Sequence, residues 1–268
     1  MPTFYPGNLE KRWGQISPLL ESSDCDLILD AMRLVIARTI PTPLYLHLNW
    51  WRHIYFNRKQ FVETQQMRQE LSGDGYTYKT FDETRSIFVH VPKSAGVSIC
   101  KALYNNLGGG HMTLKEYSTV FEPATFQSYF KFTFVRNPYD RLVSAFHYLK
   151  QGGMNEKDKA FKEQELSSFE NFGDFVRNWI TSENIWKYPH FKPQHHFICD
   201  PEKKINVDYT GRFETLEIDF RNIAETLGID ATLPKSNSSN HKHYKDYYND
   251  ETIQIVGCLL YTSDAADE

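Results

Sequence analysis

The segment SIFVHVPKSAGVSI, Ser86 to Ile99, constrains the fold of this chain more than any other. Ile87 to Val91 is a short apolar run rich in β-branched residues, which reads as a buried parallel strand; Pro92 ends it. A helix is predicted from about Val97 to Leu107, so Lys93, Ser94 and Ser98 stand at a helix start, where unpaired amides and the macrodipole favour an anion. A second junction, FTFVRNPYDRLVSAF, spans Phe132 to Phe146. Phe130 to Val135 reads as a strand ending at Arg136, Asn137 as an N-cap, and Pro138 as the first residue of a helix to about Lys150. Two such anion-binding ends on neighbouring strands suit a ligand with two separated phosphates, such as a nucleotide phosphorylated at both its 5′ and 3′ positions.

The remaining pattern supports strands alternating with helices. After Gly108 to Gly110, Thr113 and Glu116 have capping-box spacing, which places His111 just before a helix. Gln151 to Leu166 is polar and reads as a loop, and Phe169 to Ile180 as an amphipathic helix. Val207 to Phe213 is a third strand, followed by a helix from Thr215 to Leu227 that stops at Gly228. The fold class is therefore α/β, a central parallel sheet flanked by helices with ligands at the carboxyl ends of the strands. Residues 1–75 look like an appended helical extension. Apolar positions from Leu27 to Ile40 have helical spacing, Pro41 and Pro43 break it, an aromatic-rich helix covers Leu44 to Leu71, and SGDGY, Ser72 to Tyr76, is a linker.

Bulk properties narrow the function classes. At 268 residues the chain fits one α/β domain with additions. A formal charge of -4 gives no reason to expect nucleic-acid or membrane-surface binding, so any anion site must be local. The cysteines Cys25, Cys100, Cys199 and Cys258 form no CxxC pair and read as reduced thiols. No apolar run reaches membrane-spanning length, and a soluble cytoplasmic protein is expected. His241 and His243 lack acids or cysteines in a ligand pattern, so no metal is expected.

VPKSAGVS lacks the order of a Walker A loop, because Lys93 precedes Gly96, and a nucleotide kinase is disfavoured. The segment resembles the 5′-phosphosulfate loop of sulfotransferases, and FVRNPYDRLVSAF is similar to their 3′-phosphate motif. The likeness is strongest to the carbohydrate sulfotransferases that include the heparan sulfate 2-O, chondroitin and HNK-1 enzymes, over roughly Ile87 to Val256. It implies a P-loop-like three-layer fold and a donor, 3′-phosphoadenosine 5′-phosphosulfate (PAPS), with adenosine 3′,5′-bisphosphate as product. An acceptor hydroxyl of a carbohydrate would attack sulfur in line with the departing 5′-phosphate. By motif match Lys93 would hold the 5′-phosphate and bridging oxygen, and Ser94, Ala95, Gly96, Val97 and Ser98 would complete the loop. Arg136 and Ser144 would bind the 3′-phosphate, and Lys242, in the late basic stretch NHKHYKDYY, would close over the donor. A histidine suits removal of the acceptor proton. His111 stands where the 2-O-sulfotransferase has its catalytic histidine, although that enzyme's paired histidine is replaced here by Gly109. His195 and His196 compete for the role, and Glu83 and Glu214 are weaker bases. The sulfotransferase-like domain is expected over residues 76–260, with 261–268, small and acidic, as a non-native tail. The rival reading is a non-catalytic nucleotide-binding interaction module.

Overall fold

The computed structural model describes residues 41–70, 75–199, 206–234 and 242–265. The helical spacing over 27–40, Cys25, His241 and most of the expected linker lie outside the described residues. Three strands, β1 (Ser86–Val89), β2 (Phe130–Val135) and β3 (Tyr209–Arg212), form one sheet in that order. Both pairings are parallel, with Val89 opposite Thr133 and Val135 opposite Arg212. The chain is α/β, a parallel sheet flanked by helices, and every strand delivers its carboxyl end to the same edge. The register is set by burial on both faces: Ile87, Phe88, Phe132 and Phe134 are all buried, as a covered parallel sheet requires.

Helices α1 (Thr42–Phe56) and α2 (Arg58–Gln69) precede the sheet, and α3 (Lys79–Thr84) leads into β1. The single aromatic-rich helix expected over 44–71 is two, because Asn57 leaves the helical region at φ -123° and ψ 39°. After β1 come α4 (Gly96–Tyr104), α5 (Leu114–Val120) and α6 (Pro123–Ser128), then β2 and α7 (Pro138–Lys150). The capping box of Thr113 and Glu116 and the Asn137 cap with Pro138 behind it are present as read.

The expected loop over 151–166 is instead α8 (Glu156–Phe161) running into a π-helical turn, Lys162–Leu166. Asn155 caps it by accepting from the Asp158 amide. The only buried side chains of this polar stretch are those of Asp158, Phe161 and Leu166, too few to show a period in sequence. Then follow α9 (Phe172–Trp179), shorter at both ends than expected and capped by Asn171, and α10 (His195–Ile198). After β3 come α11 (Leu216–Leu227), closed by left-handed Gly228, and α12 (Asp250–Ala265), whose backbone runs past Tyr261.

Two apolar cores result. One surrounds the sheet, with Phe81, Ile99, Tyr117, Phe121, Phe197 and Ile223 buried in it. The other joins α7 to α8, α9 and α12 through Phe146, Leu149, Phe161, Phe175 and Val256. Helix α7 belongs to the second core, and its N-terminus, directly after β2, stands at the strand ends where the site forms.

Candidate functional site

Beyond β1 the chain turns sharply. Lys93 and Ala95 both have positive φ, 67° and 64°, a region L-residues enter only when the surroundings demand it. Two left-handed residues separated by one make the kind of tight turn in which successive amides converge on an anion. Ala95 occupies the cap of α4 without a side-chain hydrogen bond, so the amides of Gly96, Val97 and Ser98 keep no intrahelical acceptor. The Ser94 hydroxyl is buried with no hydrogen-bond partner among the described residues. Lys93 makes no ion pair among the described residues; its ammonium lies 3.8 Å from the centre of the Tyr148 ring. Burial, then repulsion from Arg136, lowers Lys93 to about 8, against the pull of Asp158. A cation, an orphan hydroxyl and uncapped amides in one turn fit a phosphate or sulfate group. Gly96 has a further constraint: a Cβ there would stand 1.9 Å from Cδ2 of His90, so α4 starts directly against that ring.

Arg136 is buried beside this turn. Its Nη1 donates to the Lys93 carbonyl at 3.1 Å and its Nε to Asp140 at 2.8 Å, while the guanidinium lies 4.0 Å over the Phe213 ring. Adjacent parallel strands thus place the two expected cations side by side. Neither bond uses Nη2. Ser144, also buried, follows Asp140 by one helical turn, so Arg136 reaches along the face of α7 that carries Ser144. The α7 amides are closed: Asn137 accepts from Tyr139 and Asp140, and its own amide donates to Glu214. An anion at this end would therefore be held by side chains rather than by the helix start. Asn137, Asp140, Phe213, Glu214, Lys242, His243 and Tyr244 line a cleft of about 480 Å³, which puts Lys242 on the Arg136 side of the site.

On the Lys93 side three imidazoles meet. The ring centres of His90 and His111 are 4.4 Å apart, and those of His111 and His190 5.3 Å. Nδ1 of His111 lies 3.2 Å from the His90 carbonyl; a carbonyl only accepts, so Nδ1 carries the proton and Nε2 the lone pair. Burial lowers the His111 pKa first of all, opposed by the bond to the His90 carbonyl and by Asp158. His190 falls to about 3 through burial, His111 and Lys93, and burial and the same neighbouring charges hold His90 well below the ordinary range. All three shifts favour the neutral imidazole.

The buried carboxylate of Asp158 braces this cluster. It accepts from the hydroxyls of Tyr148 and Tyr188, and both tyrosine rings stack on His190, at 5.1 and 5.5 Å. Arg141 donates to the carbonyls of His190 and Lys192, and its buried Nε has no partner among the described residues. His90, Arg141, Tyr148, Asp158 and His190 carry no role in the sequence reading. His90 had a local signal, a polar residue ending an apolar strand. His190 and Asp158 had none, because their neighbours are distant in sequence.

The other base candidates lie elsewhere. His196 packs edge-on against Trp186, and the charges that act on it are those of Lys192, Glu116, His195 and Lys115 rather than Lys93. His195 precedes it on α10. Glu83 is exposed on α3, before β1 and so at the opposite end of that strand from Lys93. Glu214 is engaged by the Asn137 amide at 2.6 Å. Among the described residues no group of three or more His, Cys, Asp or Glu side chains could hold a metal ion, and no helix is long and apolar enough to cross a membrane.

Residues 76–256 match the model of the Sulfotransferase family. The chain is also similar to carbohydrate sulfotransferase 14 of Mus musculus, 28% identical over 111 residues, which is 37% of this chain and 29% of that protein. The chain therefore spans under a third of the length of the curated relative it matches. No solved structure matches the chain.

Proposed function

From a chain that belongs to the sulfotransferase family, we propose an enzyme that moves a sulfuryl group from PAPS to a hydroxyl of a carbohydrate acceptor. One observation carries this reading: Lys93 and Arg136, from neighbouring strand ends, are joined at 3.1 Å beside the orphan Ser94 hydroxyl and the uncapped start of α4. The partial likeness to a carbohydrate sulfotransferase supports the choice of acceptor class.

Lys93, Ser94 and the amides of Ala95, Gly96, Val97 and Ser98 would hold the 5′-phosphate end of the donor, and Arg136, Ser144 and Lys242 its 3′-phosphate. When bound, the donor supplies a sulfuryl group whose bond to the 5′-phosphate oxygen breaks as the acceptor oxygen bonds to sulfur. The Lys93 ammonium neutralises charge growing on that phosphate oxygen, and it acts strongly because it is already partly stripped of water. His111 takes the acceptor hydroxyl proton on Nε2, since its Nδ1–H is committed to the His90 carbonyl. The neutral ring needs no prior proton loss.

Isothermal titration with adenosine 3′,5′-bisphosphate tests the donor assignment. Tight binding is expected, and Lys93→Ala and Arg136→Ala should each weaken it roughly 10- to 100-fold, the range of a lost charge-assisted contact. No binding of the bisphosphate, with 5′-AMP or ATP bound instead, would reject the proposal.

A further inference from the structure

His190 is the least explained residue of the site. It is 7% exposed, and its Nδ1 is buried without a hydrogen-bond partner among the described residues. Such an atom costs folding free energy unless something outside the chain satisfies it. The ring is also held with unusual thoroughness. Tyr148 and Tyr188 stack on it at interplanar angles of 20° and 16°, both tyrosines are tied to Asp158, and Arg141 grips the His190 carbonyl at 3.1 Å. Its edge-to-face neighbour is His111, and Tyr148, on which it stacks, also carries the Lys93 ammonium at 3.8 Å. The ring therefore stands among the groups that would flank the sulfur atom.

Resting on the function proposed above, we propose that His190 is a further catalytic residue, which donates an Nδ1–H hydrogen bond to a non-bridging oxygen of the sulfuryl group during transfer. The chemistry of the surroundings selects a donor. The cationic groups nearest the ring, Lys93 and Arg141, prepare the space for an anion, and a sulfuryl oxygen can only accept. A ring kept neutral by burial keeps that proton throughout, so it polarises without titrating, in the manner of a neutral electrophilic imidazole. The step balances: the acceptor oxygen lone pair forms the new S–O bond, and the S–O bond to the 5′-phosphate breaks with its electron pair left on phosphate. The hydroxyl proton passes to Nε2 of His111, and His190 ends with the proton it began with.

Comparing PAPS with adenosine 3′,5′-bisphosphate, which lacks the sulfuryl group, isolates this contact. In calorimetry His190→Ala should bind the bisphosphate as the wild type does but lose about tenfold in PAPS affinity, as for one hydrogen bond to a charged group. Cleavage of PAPS without acceptor, water taking the sulfuryl group to give sulfate and the bisphosphate, should fall about 100-fold, the scale of one lost oxyanion donor. His190→Asn, whose amide N–H falls near the place of Nδ1, should recover most of both. If the alanine variant does not fold, His190→Phe keeps the stacking without the N–H, and the same loss of PAPS affinity is expected. A variant that binds the bisphosphate normally and PAPS undiminished overturns the role of His190 and leaves the sulfotransferase reading intact. A wild-type protein that binds neither ligand overturns both.

Discussion

At the scale of single residues, the site depends on groups held in the protonation state that transfer needs. In the proposed transfer the general base must be neutral and the lysine must be charged. Burial depresses His111, so its protonation lies below the ordinary histidine value near 6.5, and as the proposed base it would stay competent below that value. Burial and Arg136 lower Lys93 to about 8, so its ammonium is lost as pH rises through that value. The pH profile of kcat/KM for PAPS should therefore be a bell, with its acid limb below 6.5 and its alkaline limb near 8, because this quantity reports the groups of the free enzyme. Measured profiles of His111→Ala lacking the acid limb would support the assignment; an acid limb left unchanged would move the base elsewhere. The strained φ of Lys93 has the same logic, since a left-handed lysine is kept only where the turn needs it.

At the scale of elements, α8 decides whether the site is rigid. This helix presents nothing chemical of its own, yet Asp158 from its middle collects Tyr148 from α7, Tyr188 from the segment after α9, the Met154 amide and Asn155. Gly153 allows that approach: it has φ +60°, and a Cβ there would sit 2.3 Å from the Asp158 Cβ. Removing the carboxylate strands two tyrosine hydroxyls and frees the ring under Lys93. Asp158→Ala is expected to cost about 2–3 kcal/mol, the usual loss for buried hydrogen bonds to a charged acceptor. Urea unfolding checks this, and a change below about 0.5 kcal/mol, the scatter of ordinary surface substitutions, would mean that the tyrosines find other partners.

At the scale of the whole molecule, the candidate site and the anchorage of the N-terminal helices occupy opposite ends of the sheet. Arg68 of α2 makes paired bonds to Asp82 on α3 at 2.8 and 2.9 Å and one to Glu122 at 3.0 Å, pinning the N-terminal helices near the entry to β1. Arg68→Ala should lower stability by about 2 kcal/mol, in the range for losing one partner of a partly buried charge network. It should leave the affinity for adenosine 3′,5′-bisphosphate unchanged, and calorimetry on the folded variant that found a weakened ligand would show the two ends to be coupled. The amino-acid order by itself determined the local junctions: the end of β1 before Pro92, the Asn137 cap before Pro138, the Thr113 capping box, and the neighbourhood of Lys93, Ser94 and Gly96. Each of these depends on contacts within about one helical turn, which is the range that spacing can encode. Only the tertiary structure decided that His90, His111 and His190 share one space, that Asp158 braces them, and that residues 151–166 are helical. Those outcomes follow from parallel strand register and from burial in a second core, and both couple residues far apart in sequence through packing that no local pattern records.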